Sequence, residues 1–228
     1  LDNAAGDYIQ FLDCDDLIGR EKLESSLHLL NSSDDENIKV VISNFRMFKI
    51  TILDSTNPYC TLDSSKFNFK SLLMDWDDTF TIPIHCGLFE VSLFDTFRFP
   101  EHLKSKEDWV MWVTVFQHKC KALFIDKPYA FYRLNAKSMT QTKDMFPDVL
   151  KAIGYFKTIL TDEMFYKFSI NMISKYHKKN LKHKIKTNSI KKSNSYQTGL
   201  MIKKGLKKIG ILKFVKWVFP LILKLKRK

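Results

Sequence analysis

Ala4-Ala5-Gly6-Asp7-Tyr8-Ile9-Gln10-Phe11-Leu12-Asp13-Cys14-Asp15-Asp16 is the stretch on which the reading of the whole chain turns. After Gly6 apolar residues alternate with polar ones and then give way to carboxylates, which predicts a core strand running out into an acidic turn. Open α/β sheets bind ligands beyond the C-terminal ends of their strands. Asp13, Asp15 and Asp16 offer hard oxygen donors, which suit magnesium or manganese better than zinc. A solvated loop or a helix cap would have the same composition, so the turn is weighed with the elements around it.

Working outward, residues 20–30 carry Leu23, Leu27 and Leu30 at helical spacing and end in the polar turn Asn31-Ser32-Ser33-Asp34-Asp35-Glu36. Residues 40–43 and 46–53 predict strands, broken by Asp54-Ser55-Thr56-Asn57-Pro58. The pattern over 67–94 is mixed, with a short strand at 82–89 in which Pro83 limits pairing. Trp109, Trp112, Val113 and Phe116 recur at i, i+3, i+4 and i+7, so a helix begins near Ser105 with Glu107 and Asp108 in its first turn. Those two carboxylates could simply complement the helix dipole. Residues 122–126 and 129–133 predict strands around Lys127-Pro128, and the chain is helical from Pro147 to about Lys192. This order of elements is α/β. Residues 191–198 are polar and read as a linker.

With 228 residues, 45% of them apolar, the chain can bury a substantial core. It has no initiator Met and no charged-then-apolar leader at its start, so it reads as a fragment. Cys14, Cys60, Cys86 and Cys120 are scattered, with no CxxC pair, which fits reduced thiols in a cytosolic compartment. His85-Cys86 and His118-Cys120 have the residue types of a zinc site, but their spacing matches no standard finger. The net charge of +12 conceals an asymmetry. Residues 1–149 hold 16 Lys and Arg against 23 Asp and Glu, and residues 150–228 hold 21 against 2. The two parts are therefore expected to do different work.

The run from Ala4 to Asp16 closely resembles the second-half motif of family 2 glycosyltransferases, an A-x-G-[DE]-Y-I-x-F-L-D-x-D-D string that carries the metal-binding DxD. Downstream, Phe99-Pro100-Glu101 leading into Lys106-Glu107-Asp108-Trp109 is similar to the family's Glu-Asp motif. Tyr132-Arg133 with Ser138-Met139-Thr140 is like its closing segment near the donor phosphates. The resemblance covers roughly residues 1 to 145. It implies the C-terminal portion of a GT-A, Rossmann-like mixed sheet flanked by helices, and inverting transfer of a hexosyl group from a nucleotide-sugar donor, dependent on Mg2+ or Mn2+. Asp108 would be the general base and Glu107 would orient it or the acceptor. Asp15 would lead the metal shell, with Asp13 on the metal or the sugar and Asp16 assisting, and Arg133 would meet diphosphate oxygens. The family's nucleotide-binding first half has no counterpart from Leu1 onward, so the chain as given is expected to bind donor poorly, and an inactive fragment is one reading of it. Some relatives place a metal-binding His in the closing segment, where this chain has Leu134, Asn135 and Ala136.

Trp76, set among Asp75, Asp77 and Asp78, and His85 are candidates for an acceptor groove, although a half-buried loop tryptophan would look the same. The expected organisation is a catalytic part at 1–145, a helical extension at 146–192 and a basic amphipathic tail at 193–228. In the tail, Lys203, Lys204, Lys207 and Lys208 gather opposite Ile202, Leu206 and Ile209, and Lys213 and Lys216 form a narrow stripe beside Phe214, Val215, Trp217 and Val218. Such a segment suits the interface of an anionic membrane over 200–228, ahead of a cover on the protein's own core or a nucleic-acid partner. The location expected is cytoplasmic, peripheral at the inner face of the membrane. A lipid-linked or glycan acceptor in cell-surface polysaccharide synthesis fits that place. Two rival readings remain. Phe11-Leu12-Asp13-Cys14-Asp15 also looks like the nucleophile strand of a haloacid-dehalogenase phosphatase, although Asp16-Leu17 follow where a small residue and Thr or Val are usual. The chain could also be a non-catalytic membrane-associated remnant.

Overall fold

The computed structural model describes residues 1–117, 119–135, 138 and 142–225, with side chains described as far as residue 218. His118, Ala136, Met139 and Thr140, which entered the sequence reading, lie outside the described residues. The chain forms two compact units, Leu1–Met172 and Ile173–Lys228.

The first unit is α/β. Its spine is the parallel pair of β3 (Ile38–Phe48) and β5 (Lys121–Arg133). Val40, Val41 and Ile42 of β3 are fully buried, the continuous apolar run of a strand covered on both faces. The short strands β1 (Tyr8–Ile9), β2 (Leu17–Ile18) and β4 (Gly87–Glu90) complete a mixed sheet of order β1-β4-β3-β5-β2, with every other pairing antiparallel. The helices of this unit are α1 (Lys22–Asn31), α2 (Phe69–Met74), α3 (Glu107–Val115) and α4 (Phe146–Ile159), followed by α5 (Asp162–Lys192), which runs on into the second unit. Fold class and sheet type thus agree with the sequence reading: a mixed sheet with flanking helices, followed by a basic helical extension.

Several elements differ from expectation, each for a physical reason. The strand expected from Gly6 to Leu12 pairs only at Tyr8 and Ile9. The two strands expected between 40 and 53 are one, ending at Phe48, and Ile52–Asp54 form a 3-10 turn closed by a capping box between Thr51 and Asp54. The strands expected on either side of Lys127-Pro128 are also one. Its register against β3 jumps from Ile125 to Pro128 to Ala130 opposite Ser43, Asn44 and Phe45. A bulge absorbs the extra residues where proline has no N–H to give the ladder, and Asn44 Nδ2 donates to Asp126 Oδ1 at 2.8 Å across it. Within the expected strand 82–89, Ile84–Cys86 form a 3-10 turn before β4 begins. A Cβ on Gly87 would come within 2.3 Å of the Phe89 ring and 2.9 Å of Trp112, so packing requires glycine there.

α3 is buried on all sides, not along one stripe: Trp109, Val110, Met111, Trp112 and Val113 are each at most 1% exposed. Trp109 Nε1 donates to Leu72 O at 2.9 Å and Trp112 Nε1 to Ile82 O at 3.0 Å, which fixes the helix against its surroundings. Ala152 and Phe156 of α4 and Phe168 of α5 are fully buried in the same core, with Phe156 4.7 Å from the Trp109 ring. Residues 146–172 therefore belong to the compact unit that the first 145 residues build.

In α1 the leucine stripe is only partly covered, with Leu27 and Leu30 half-buried. Leu23 is exposed, whereas Lys22 and Ser26 are buried, and Lys22 Nζ donates to Cys86 O at 3.0 Å. Burial pushes the Lys22 ammonium down to about 8, against a smaller opposing pull from Cys86. The folded protein holds that proton less tightly than the unfolded chain, so stability rises with pH between 8 and the ordinary 10.5. Lys22→Met is accordingly expected to raise stability by about 1–3 kcal/mol near neutral pH, with the gain shrinking as pH climbs through that window. Urea denaturation of both proteins across the window checks this.

In the second unit, α6 (Asn194–Lys208) and α7 (Leu212–Leu225) follow α5. The linker expected at 191–198 is reduced to a single break at Ser193, whose side chain caps α6 by accepting from the Tyr196 amide.

Candidate active site

The acidic turn is held between β1 and β2, and its position is set by the end of β5. β2 pairs antiparallel to β5, with Leu17 opposite Phe131. The Arg133 amide donates to Asp16 Oδ1 at 2.7 Å, and Arg133 Nε donates to the Asp15 carbonyl. Arg133 also lies over the Phe48 ring at 4.3 Å and donates to Lys49 O at 3.3 Å. Its guanidinium thus ties together the ends of β3 and β5 and the acidic turn.

The three carboxylates of that turn, indistinguishable in sequence, have different fates. Asp13 and Asp15 are exposed, whereas Asp16 turns inward and is buried. Its second oxygen, Oδ2, lies 3.1 Å from Nδ1 of His85, itself 1% exposed. Burial pushes Asp16 up to about 6, partly countered by the Arg133 amide, and pushes His85 down to about 4 with help from Lys22. The imidazole is therefore neutral at physiological pH, with Nδ1–H donating to Asp16 and Nε2 left as an acceptor. Asp13 is also raised, by burial first and then by Asp15.

The second group of residues comes from the start of α3. Lys106, the residue that caps it, has φ 71, and Asp77 has φ 60; both lie in the left-handed region that side chains other than glycine seldom occupy. The two are joined by an ion pair of 2.6 Å. Strained backbone of this kind concentrates at functional sites. Asp108 Oδ1 accepts from the Trp109 amide at 2.7 Å. That amide and the nearby Lys106 both favour the carboxylate, but burial and the neighbouring Glu107 outweigh them and push Asp108 up to about 7.

These two groups line one cavity of about 600 Å³, within the ordinary size range of small-molecule sites. Asp13, Asp15, Arg133, His85, Glu107 and Asp108 all reach it. Trp76 reaches it too, but from the core: it is 2% exposed and stacked on Trp109 at 6.5 Å, so the half-exposed loop tryptophan expected from sequence is a wall residue with one face occupied. Asp16 does not line the cavity; it supports His85 from behind. Among the described residues, His85 Nε2 and Glu107 Oε2 are buried without a hydrogen-bond partner, and buried polar groups of this kind call for a ligand or water.

Lys106 and Asp77 flank candidates that the sequence offers, but their residue types do not announce the left-handed backbone. Sequence reasoning missed Tyr59 and Thr81, which complete the lining beside Tyr132 of the closing segment, with Thr81 Oγ1 donating to Tyr59 Oη at 2.8 Å. Nor could spacing reveal the Asp16–His85 pair. Of the residues with zinc-ligand chemistry, His118 lies outside the described residues and Cys86 is fully buried; among the described residues no three His, Cys, Asp or Glu groups converge as metal ligands.

No family model and no curated protein matches the chain. Among solved structures, the crystal structure of S. aureus TarS aligns with it at 18% sequence identity and a TM-score of 0.44, over 67% of this chain and 24% of that one. The chain thus spans about a quarter of the length of the structure it matches.

Proposed function

We propose that the chain is the acceptor-side and catalytic part of a GT-A-type, inverting glycosyltransferase that moves a hexosyl group from a nucleotide-sugar donor to a glycan or lipid-linked acceptor in cell-surface polysaccharide synthesis. The observation that carries this reading is the shared cavity, where the exposed carboxylates of the Asp13–Asp16 turn meet the paired carboxylates at the start of α3. In this reading Asp108, with a pKa of about 7, accepts the proton of the acceptor hydroxyl. The hydroxyl oxygen bonds to the anomeric carbon as the bond from that carbon to the diphosphate breaks, and nucleoside diphosphate leaves. Glu107 holds the acceptor, His85 Nε2 receives one of its hydroxyls, and Trp76 supplies an apolar wall.

Asp13 and Asp15 would hold Mg2+ or Mn2+, which supplies Lewis-acid neutralisation of the leaving diphosphate. Asp13 and Asp15 are both exposed and both line the cavity, and a hard cation such as magnesium commonly takes one or two carboxylates and completes its shell with substrate phosphates and water. Asp16 has both oxygens engaged and acts as a positioning residue. Arg133 faces the same cavity as a diphosphate contact. A cytoplasmic place, peripheral at the inner face of a membrane, belongs to the same reading because a lipid-linked acceptor is met there.

Calorimetric titration of a nucleoside diphosphate with Mg2+ or Mn2+ tests the metal assignment. Asp15→Asn is expected to weaken the metal-dependent part of binding by at least about 10-fold. An unchanged metal dependence after replacing both Asp13 and Asp15 would move the ion elsewhere.

A further inference from the structure

We propose that residues 194–218 form a docking surface for an anionic lipid bilayer, with α6 and the first turns of α7 lying in the headgroup layer. The proposal goes beyond the transfer reading and stands without it. Within this unit Ile202 is 58% exposed, Ile209 66%, Phe214 63% and Trp217 70%. Large apolar side chains exposed together in this way mark an interaction surface. On α6 and at the residue that ends it, the exposed Ile202 and Ile209 flank the half-buried Leu206 along one side, and Lys203, Lys204, Lys207 and Lys208 occupy the other.

Charge identifies the occupant. The unit Ile173–Lys228 contains eighteen Lys and Arg and neither Asp nor Glu, so whatever covers it is anionic. A nucleic acid would satisfy the lysines but leave the isoleucines, Phe214 and Trp217 in water. A bilayer bearing acidic headgroups satisfies both, with lysines among phosphates and apolar side chains at the acyl boundary. Trp217, next to Lys216, has the amphipathic ring that prefers this depth. Among the described residues no helix is long and apolar enough to cross a membrane; the proposed contact is one of lying on the surface.

The test is co-sedimentation of the full chain with phosphatidylcholine vesicles, with and without phosphatidylglycerol, while tryptophan emission is recorded. Trp76, Trp109 and Trp112 are at most 2% exposed, so a blue shift on binding reports Trp217. Binding and a blue shift are expected only with the acidic vesicles. Reversing Lys203, Lys204, Lys207 and Lys208 to Glu is expected to weaken binding at least about 100-fold. Trp217→Phe should abolish the shift while sedimentation persists, and Asp108→Asn should bind as the parent does, which separates this surface from the chemistry of the cavity. Equal binding to neutral vesicles, no shift on sedimentation, tighter capture by a homopolymeric RNA, or a shift caused by self-association without lipid would each overturn the proposal.

Discussion

Asp108→Asn is expected to lower sugar transfer by about 10²–10⁴-fold, the usual contribution of a positioned general base, while making the protein more stable. The two effects have one cause. Burial, reinforced by Glu107, raises Asp108 from 3.8 to about 7, so the carboxylate is poised to take a proton near neutral pH at the expense of the fold. The folded state keeps a proton that the unfolded chain has already lost between those two values, so native stability falls as pH rises through the window. At about 1.4 kcal/mol per pKa unit, the asparagine variant gains about 2–4 kcal/mol above pH 7 and nothing below 3.8. Asn Oδ1 can still accept from the Trp109 amide, so the local geometry survives. In the proposed reaction transfer should rise with pH to a plateau above about 7, and the variant should lose that limb. Thermal melts on either side of the window, together with a pH–rate profile, check both halves. Transfer retained by the variant would remove Asp108 from the base role.

Trp109→Ala should destabilise the protein by about 3–5 kcal/mol, a large share of the 5–15 kcal/mol a domain commonly has. The ring is 1% exposed and sits among Trp76, Phe156 and Phe168, with centroids at 6.5, 4.7 and 6.0 Å. Its truncation leaves a cavity and strands the Leu72 carbonyl that the indole N–H satisfies. Because Trp109 anchors the turn that presents Glu107 and Asp108, transfer should fall together with stability. Asp108→Asn separates the two, so the pair of variants distinguishes chemistry from scaffold. Urea denaturation monitored by circular dichroism gives the magnitude.

What the sequence disclosed about this chain was local. The acidic turn and the start of α3 were legible because each is a short run whose spacing alone sets its geometry. Nothing in the pattern joined β5 across Lys127-Pro128, because a bulge is decided by the partner strand and not by the residues it contains. The inward turn of Lys22 is hidden for a similar reason: a leucine stripe predicts the buried face, and tertiary packing rotates it so that Lys22 and Ser26 are covered while Leu23 is exposed. Asp16 has the residue type of a third metal ligand, but its contacts are set at a distance in sequence: β5 places the Arg133 amide on one oxygen and the 3-10 turn before β4 places His85 beside the other. The strain at Lys106 and Asp77 was invisible, since neither residue type signals a left-handed backbone.

In the proposed enzyme a cation at the acidic turn faces Asp108 across a single cavity. Paramagnetic broadening by Mn2+ added with a nucleoside diphosphate reads that arrangement directly from assigned amide resonances. Signals of Asp13, Asp15, Glu107, Asp108 and Arg133 should broaden together, and all should recover in Asp15→Asn. Broadening confined to the acidic turn, with Glu107 and Asp108 untouched, would contradict the account.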